Sequence, residues 1–227
     1  MQFNDPSLIV QSLIAVAVML LVGFPVHEFS HALAAYRLGD STARYRGRLT
    51  LDPRVHFDPL GGGMLIVSAL LTSFFLGWAK PTPVNPMNLR GGRRGEALVA
   101  AAGPVSNLIL AAIVAAPLRL VTANGGLMLT VFTNTFAAVL YNVAFLWVVI
   151  NLSLFVFNLL PVPPLDGWRV LLGLVDARTA WNLRQVEQYA IFLLIAILFF
   201  GGRIIFPIIV FFLNTLVPGS GIVPVPR

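Results

Sequence analysis

The run His27-Glu28-Phe29-Ser30-His31 lies inside an apolar stretch, residues 8–38, that is long enough to cross a bilayer. Few features constrain a chain so strongly, because an ionisable side chain in lipid is costly unless it is paired or bound to something. On a helix, positions i and i+4 share a face, so His27 and His31 can aim two imidazoles at one point. This is the H-E-x-x-H spacing of a zinc site, with Glu28 placed to take a proton from a water held there. A lone histidine in an apolar helix is ordinarily a satisfied core residue. Two histidines and a glutamate within five residues are not accounted for that way. Pro25 withholds one backbone donor and is expected to loosen the helix just before the site, while Gly39 stands where a C-cap glycine belongs.

The rest of the chain has the same character. Of its 227 residues, 58% are hydrophobic and 11% charged. That balance excludes an ordinary soluble domain, and four or five runs reach membrane-spanning length. The reading is an all-α polytopic membrane protein. It forms one integral-membrane domain over 1–227, with a core at about 8–175 and a C-terminal helix or broken helix over 188–217. The N-terminus lacks a basic n-region and a small-residue cleavage site, so the first helix is expected to be retained. There are no cysteines, which rules out disulfides and thiolate ligands and leaves His, Asp or Glu to hold a metal. The formal charge of +6 comes from 15 Lys+Arg against 9 Asp+Glu. These basic residues sit in loops beside apolar helices, so anchoring at a membrane surface explains them without nucleic acid.

Further spans are expected at 96–120 and 134–160. The first carries Ala102-Gly103-Pro104-Val105-Ser106-Asn107, where small residues allow close helix approach and Asn107 needs a polar partner. Two smaller features lie before it. Residues 43–51 alternate Ala43, Tyr45, Gly47, Leu49 and Leu51 with Arg44, Arg46, Arg48 and Thr50, a period of two that predicts a small membrane-associated β segment. Its edge would offer an unwound peptide backbone partners. Residues 61–77 are apolar but short and open on three glycines, which predicts a re-entrant segment rather than a crossing. The loops 37–60, 78–95 and 161–187 then share one side and hold 12 of the 15 basic residues, a cytoplasmic signature.

A catalytic zinc site takes three protein ligands and keeps an open position. Asp166 is the best third candidate, because prolines at 161, 163 and 164 deliver it on an extended backbone. Two alternatives stay open: His56, in a turn between Asp52-Pro53 and Asp58-Pro59, and an ordinary capping role for Asp166 at a short helix over 168–176.

The motifs HEFSH (27–31) and NLLPVPPLDG (158–167), with AGPVSN (102–107) between them, resemble the site-2 protease family of intramembrane zinc proteases. The stretches YRLGDSTARYRGRLTLDP and GWAKPTPVNP resemble its minimal prokaryotic branch, without regulatory domains. The resemblance implies one Zn2+ per chain held by His27, His31 and Asp166, with Glu28 activating the water. It also implies that Asn158 helps hold the substrate backbone. The implied function is cleavage of transmembrane segments of other proteins, in a prokaryotic plasma membrane, with the site toward the cytoplasm. A reading from another class is a membrane metal-ion or proton transporter that lines its path with the same side chains. Such a path needs two access routes and often shows inverted repeats, and none is visible in the sequence.

Overall fold

The structure, a computed structural model, describes residues 6–71 and 77–219. The chain enters as α1 (Pro6–Val18), passes through one widened turn at Met19–Gly23, and continues as α2 (Phe24–Arg37). The widened turn ends where Phe24 N–H donates to Met19 O, five residues back rather than four. Pro25, which has no N–H to give, comes immediately after, so the loosening expected from it is taken up by this one turn. At the other end Gly39 adopts φ +107, Gly39 N–H donates to Tyr36 O, and Asp40 N–H donates to Ala35 O. These paired bonds make a Schellman close, which needs the left-handed residue that glycine supplies without strain.

Four helical stretches among the described residues are long and apolar enough to cross a membrane: Leu13–Arg37, Arg93–Ala123, Thr135–Asn158 and Ala177–Phe200. α6 (Arg93–Ala123) is the central post and packs against α2, α8 (Thr135–Asn158) and α9 (Asp166–Leu174). Its buried face is built largely from small residues, Gly95, Ala97, Ala100, Gly103, Ala111 and Ala115. Without a hydrophobic driving force inside lipid, close backbone approach is what such a face offers. α7 (Gly125–Thr133), which the sequence did not announce, joins α6 to α8, and Asn124 and Asn134 cap α7 and α8 with their side-chain oxygens.

The apolar core has two main parts. Ala15, Val16, Met19 and Phe24 meet Leu65, Ala69, Ile150 and Leu154 on one side of α8. Ala111, Ala115 and Leu118 meet Val148, Leu152, Leu213 and Val217 on the other. The C-terminal apolar stretch is indeed divided. α10 (Ala177–Arg184) runs on through one tighter turn, Gln185–Tyr189, into α11 (Ala190–Phe200), and α12 (Gly202–Leu216) follows Gly201. α12 returns to pack on α8 and α6, whereas α11 leaves Ile191, Phe192 and Phe199 exposed.

The β segment expected at 43–51 is overturned. No strand occurs among the described residues, and this stretch holds a short helix, α3 (Thr42–Tyr45). The buried Asp40 carboxylate accepts from Thr42 N–H and Thr42 Oγ1, which starts a helical turn. Gly47 at φ +68 then reverses the chain, with Arg48 N–H donating to Ala43 O. The alternation also has the wrong faces: Tyr45 is 85% exposed and Arg48 is 8% exposed. Arg48 turns inward to donate to Val55 O and Lys80 O, so a guanidinium, not a ladder of strand pairs, organises this loop. The turn after it closes as α4 (Pro53–His56), capped by Asp52.

Over 61–77 the structure supports a short helix, α5 (Pro59–Leu71), and not the expected re-entrant segment. At about 1.5 Å per residue, α5 falls well short of the ~30 Å hydrocarbon core. Residues 72–76, where such a segment would turn, lie outside those described.

Candidate metal centre

Three of the residues singled out in the sequence come together. His27 and His31 share the buried face of α2, and Asp166 opens α9 beneath them. His27 Nε2 lies 3.1 Å from Asp166 Oδ2, His31 Nε2 lies 3.2 Å from the same oxygen, and the two Nε2 atoms are 3.1 Å apart. The helix-cap alternative for Asp166 does not apply. The capping position belongs to Leu165, which makes no side-chain cap bond, and the Asp166 carboxylate faces the histidines instead. Gly167 makes that orientation accessible. A Cβ there would stand 2.2 Å from Leu159 O and 2.4 Å from Leu160 O, so only glycine lets the chain double back this tightly before α9.

The far side of each imidazole is fixed. His31 Nδ1 donates to Val99 O at 2.7 Å, and a carbonyl can only accept, so this ring carries its proton on Nδ1. His27 Nδ1 donates to Asn107 Oδ1 at 2.7 Å. The Asn107 amide is oriented in turn, with Nδ2 donating to Asn151 Oδ1 at 3.0 Å and, at greater length, to Gly23 O at 3.4 Å. Both rings therefore turn unprotonated Nε2 lone pairs toward a carboxylate oxygen. Three electron-rich atoms in mutual contact repel one another unless a cation lies among them, which is the chemistry of a metal site. The spacing suits zinc as well. Tetrahedral bonds of about 2.0–2.1 Å hold ligand atoms roughly 3.3 Å apart.

The packing partner of the two rings is Gly103 on α6. A Cβ there would come within 2.3 Å of His31 Nε2 and 2.7 Å of His27 Nε2. Glu28 is held from a different direction. Thr82 N–H donates to Glu28 Oε2 at 2.8 Å, and Thr82 Oγ1 donates to Glu28 O at 3.0 Å. Thus the Pro81-Thr82-Pro83 segment is strapped onto α2 beside the histidines.

His56 stands apart from this cluster. It is buried, and its Nε2 donates to Thr50 O at 2.8 Å, which makes it a loop anchor. Asn158 is the last residue of α8, and its Nδ2 donates to Leu154 O in its own helix. It is half-buried, at the start of the loop that delivers Asp166.

A profile of Peptidase family M50 matches residues 118–201. The Bacillus subtilis protein named "Putative zinc metalloprotease YwhC" is 40% identical over 194 residues, covering 85% of this chain and 84% of that protein. The chain belongs to peptidase family M50. Mycobacterial members of this group are longer: the Mycobacterium tuberculosis protein named "Putative zinc metalloprotease Rip2" is 36% identical over 180 residues, 78% of this chain and 64% of its own length. Its Mycolicibacterium smegmatis namesake is 31% identical over 181 residues. No solved structure matches the chain.

The stretch matched by the M50 profile contains Asp166 and the polar residues of α8 but ends far from α2, so the histidine pair is an independent observation. Sequence reasoning placed the two histidines and the aspartate, and gave Asn107 an inter-helix bond without naming His27 as its partner. It gave Gly103 a close helix approach without placing the imidazoles against it, and passed over Thr82 and Asn151. Asn151 had a signal, an amide inside the apolar run 143–157. Thr82 had only the prolines on either side of it.

Proposed function

We propose that this M50 member is an intramembrane zinc endopeptidase that cleaves transmembrane segments of other proteins. The observation that carries the reading is the triangle of His27 Nε2, His31 Nε2 and Asp166 Oδ2, with both Nδ1 atoms already committed, the two histidines standing on a helix of membrane-spanning length. Zinc, when bound there, supplies a Lewis acid for the scissile carbonyl and for the attacking water.

The remaining work falls to side chains. Glu28, next to His27 in sequence, is the general base that takes a proton from the water and returns it to the leaving amine. The Thr82 N–H fixes one carboxylate oxygen and leaves the other for the proton. Asn158, beside the mouth of the 159–165 loop, would hold the substrate backbone, exchanging its intrahelical bond for a peptide carbonyl. A substrate helix must unwind before attack, because its peptide bonds are engaged internally. The non-helical backbone at 159–165 and 77–85 would give water and extended peptide a protein-lined route to the site.

Orientation follows from charge. Arg37, Arg44, Arg46, Arg90 and Arg94 lie at the end of the bundle that carries the site, which suits the cytoplasmic face of a prokaryotic plasma membrane.

The test is Glu28→Gln, which keeps size and removes the base. Purified in detergent and offered a transmembrane substrate, the variant should bind zinc like the parent and cleave at least a hundredfold more slowly, at the lower end expected for loss of a general base. Unchanged cleavage would eliminate the mechanism.

A further inference from the structure

Asn151 touches neither histidine, yet it is one of the most deeply buried polar residues in the chain, with no exposed surface. It sits in the middle of α8, and its two amide ends are both engaged. Asn151 Nδ2 donates to Trp147 O at 3.0 Å, one turn back in its own helix. That bond forces Asn151 Oδ1 to point across the bundle, where it accepts from Asn107 Nδ2 at 3.0 Å. Asn107 is itself fully buried, and it presents Oδ1 to His27 Nδ1 at 2.7 Å. An unbroken line of hydrogen bonds therefore runs from Trp147 O on α8, through Asn107 on α6, to His27 on α2.

We propose that Asn151 is a positioning residue for the metal site, acting through Asn107 to set the tautomer of His27. The argument rests on the direction of each bond. An asparagine amide can be turned over at almost no steric cost, so its neighbours alone decide which end faces which way. With Asn151 Oδ1 in place, Asn107 Nδ2 is drawn toward α8 and Oδ1 faces His27. His27 then carries its proton on Nδ1, and Nε2 is free to ligate. Without that acceptor, only the long contact of Asn107 Nδ2 with Gly23 O, 3.4 Å, opposes the flip. A flipped amide would put N–H against Nδ1 and drive the proton to Nε2, the tautomer that cannot bind a metal through that atom. The deep burial strengthens the effect, because no water competes for either end of the line.

This inference rests on His27 being a metal ligand, and the experiment separates the two. The full-length protein, purified in detergent, is compared with Asn151→Leu and Asn151→Asp. Leucine matches asparagine in size and removes both bonds. Aspartic acid, held neutral by its apolar surroundings, keeps an oxygen toward Asn107 and an O–H toward Trp147 O. Zinc affinity is measured by chelator competition, site geometry by the visible spectrum of the cobalt-substituted protein, and the His27 tautomer by imidazole 15N shifts of the metal-free protein. Asn151→Leu should weaken zinc about tenfold, within the range for outer-shell partners, alter the cobalt spectrum and mix the tautomers. Asn151→Asp should restore all three. Should Asn151→Leu fail to fold, Asn151→Ala takes its place against the same rescue. Parental zinc affinity and a single tautomer in the leucine or alanine variant would overturn the proposal, as would an aspartate variant no better than leucine. If His27→Ala keeps full zinc binding, the ligand assignment fails instead, while the tautomer measurement still decides the role of Asn151.

Discussion

The backbone N–H of Thr82 reaches 2.8 Å to Glu28 Oε2, across 54 positions of sequence. The same residue returns a second bond, from its hydroxyl to Glu28 O. A carboxylate on a helix surface would otherwise sample several rotamers. Here a loop stiffened by Pro81 and Pro83 selects one, and the buried hydroxyl anchors the loop to α2. Thr82→Val removes the hydroxyl with little change of shape, and Thr82→Ser restores it. The valine variant keeps the backbone bond to the carboxylate and loses only the hydroxyl's bond to a neutral carbonyl, worth about 0.5–1.5 kcal/mol. It should therefore lose up to roughly tenfold in kcat, with the serine variant near the parent. Zinc content should stay at the parental level in both. Parental kcat in the valine variant would show that the strap does not position the base.

The metal centre predicts a simple stoichiometry. One zinc should bind per chain, and Asp166→Ala or His31→Ala should each lower metal content severely and abolish activity. His56→Ala should keep its zinc, because His56 spends its Nε2 on Thr50 O away from the triangle. Metal analysis of the purified variants decides it. Loss of zinc from His56→Ala alone would move the third ligand.

Gly103 gives a sharper steric test. The added methyl of Gly103→Ala would stand 2.3 Å from His31 Nε2, closer than any real contact, so a ring or the helix must move. Zinc affinity should fall by at least tenfold while the helical content of the protein is unchanged. Gly63→Ala is the control, since nothing lies within 4 Å of a Cβ there. Equal zinc affinity in the two variants would mean that the rings have room to spare.

How much of this was legible beforehand depended on whether the signal was local. The i, i+4 histidines and Gly39 each state their geometry within a few residues, and each was read correctly. The prolines before Asp166 do keep the chain out of helix, but as hydrogen-bonded turns rather than extended backbone, with Asp166 itself opening α9. The alternation at 43–51 was just as local and misled. A period of two becomes a strand only where a partner supplies a ladder, and here Asp40 and Arg48 tie the loop into helical turns through bonds to residues up to 48 positions away. The bonds of Thr82 to Glu28 and of Asn151 to Asn107 are of the same kind. They depend on which helices become neighbours, and no spacing along the chain encodes that.

Asp40 carries a pH dependence. Burial opposes its charge, but bonds from Thr42, Asn85 and Asn88 outweigh burial and hold the carboxyl below the usual carboxylate range. A group whose folded pKa is depressed stabilises the fold above its unfolded pKa of about 3.9 and loses that contribution as pH falls through the folded value. Asp40→Asn should therefore be less stable than the parent at pH 7, and the gap should close below about pH 4. Thermal unfolding in detergent across that range is the measurement. A gap of constant size would show that the amide differs from the carboxylate for reasons other than ionisation.

The same carboxylate settles which loops lie together. Asp40 accepts from Asn85 N–H and Asn88 Nδ2, and Arg90 N–H donates to Leu38 O at 2.8 Å, so the loop after α2 and the loop before α6 are one structure at one end of the bundle. At the same end, Arg93 Nη1 donates to Val175 O, which brings the α9 side to this face as well. Basic residues crowd this end, and the positive-inside rule supports the cytoplasmic orientation proposed above. Because the chain has no cysteine of its own, single cysteines at Ser41 and Arg90 report cleanly. In intact cells both should resist a membrane-impermeant thiol reagent, and both should react once the membrane is opened. If both react from outside, the protein sits the other way up with its fold intact. Reaction at one position and not the other would break the Asp40 junction, because residues that share its hydrogen bonds cannot lie on opposite sides of a bilayer.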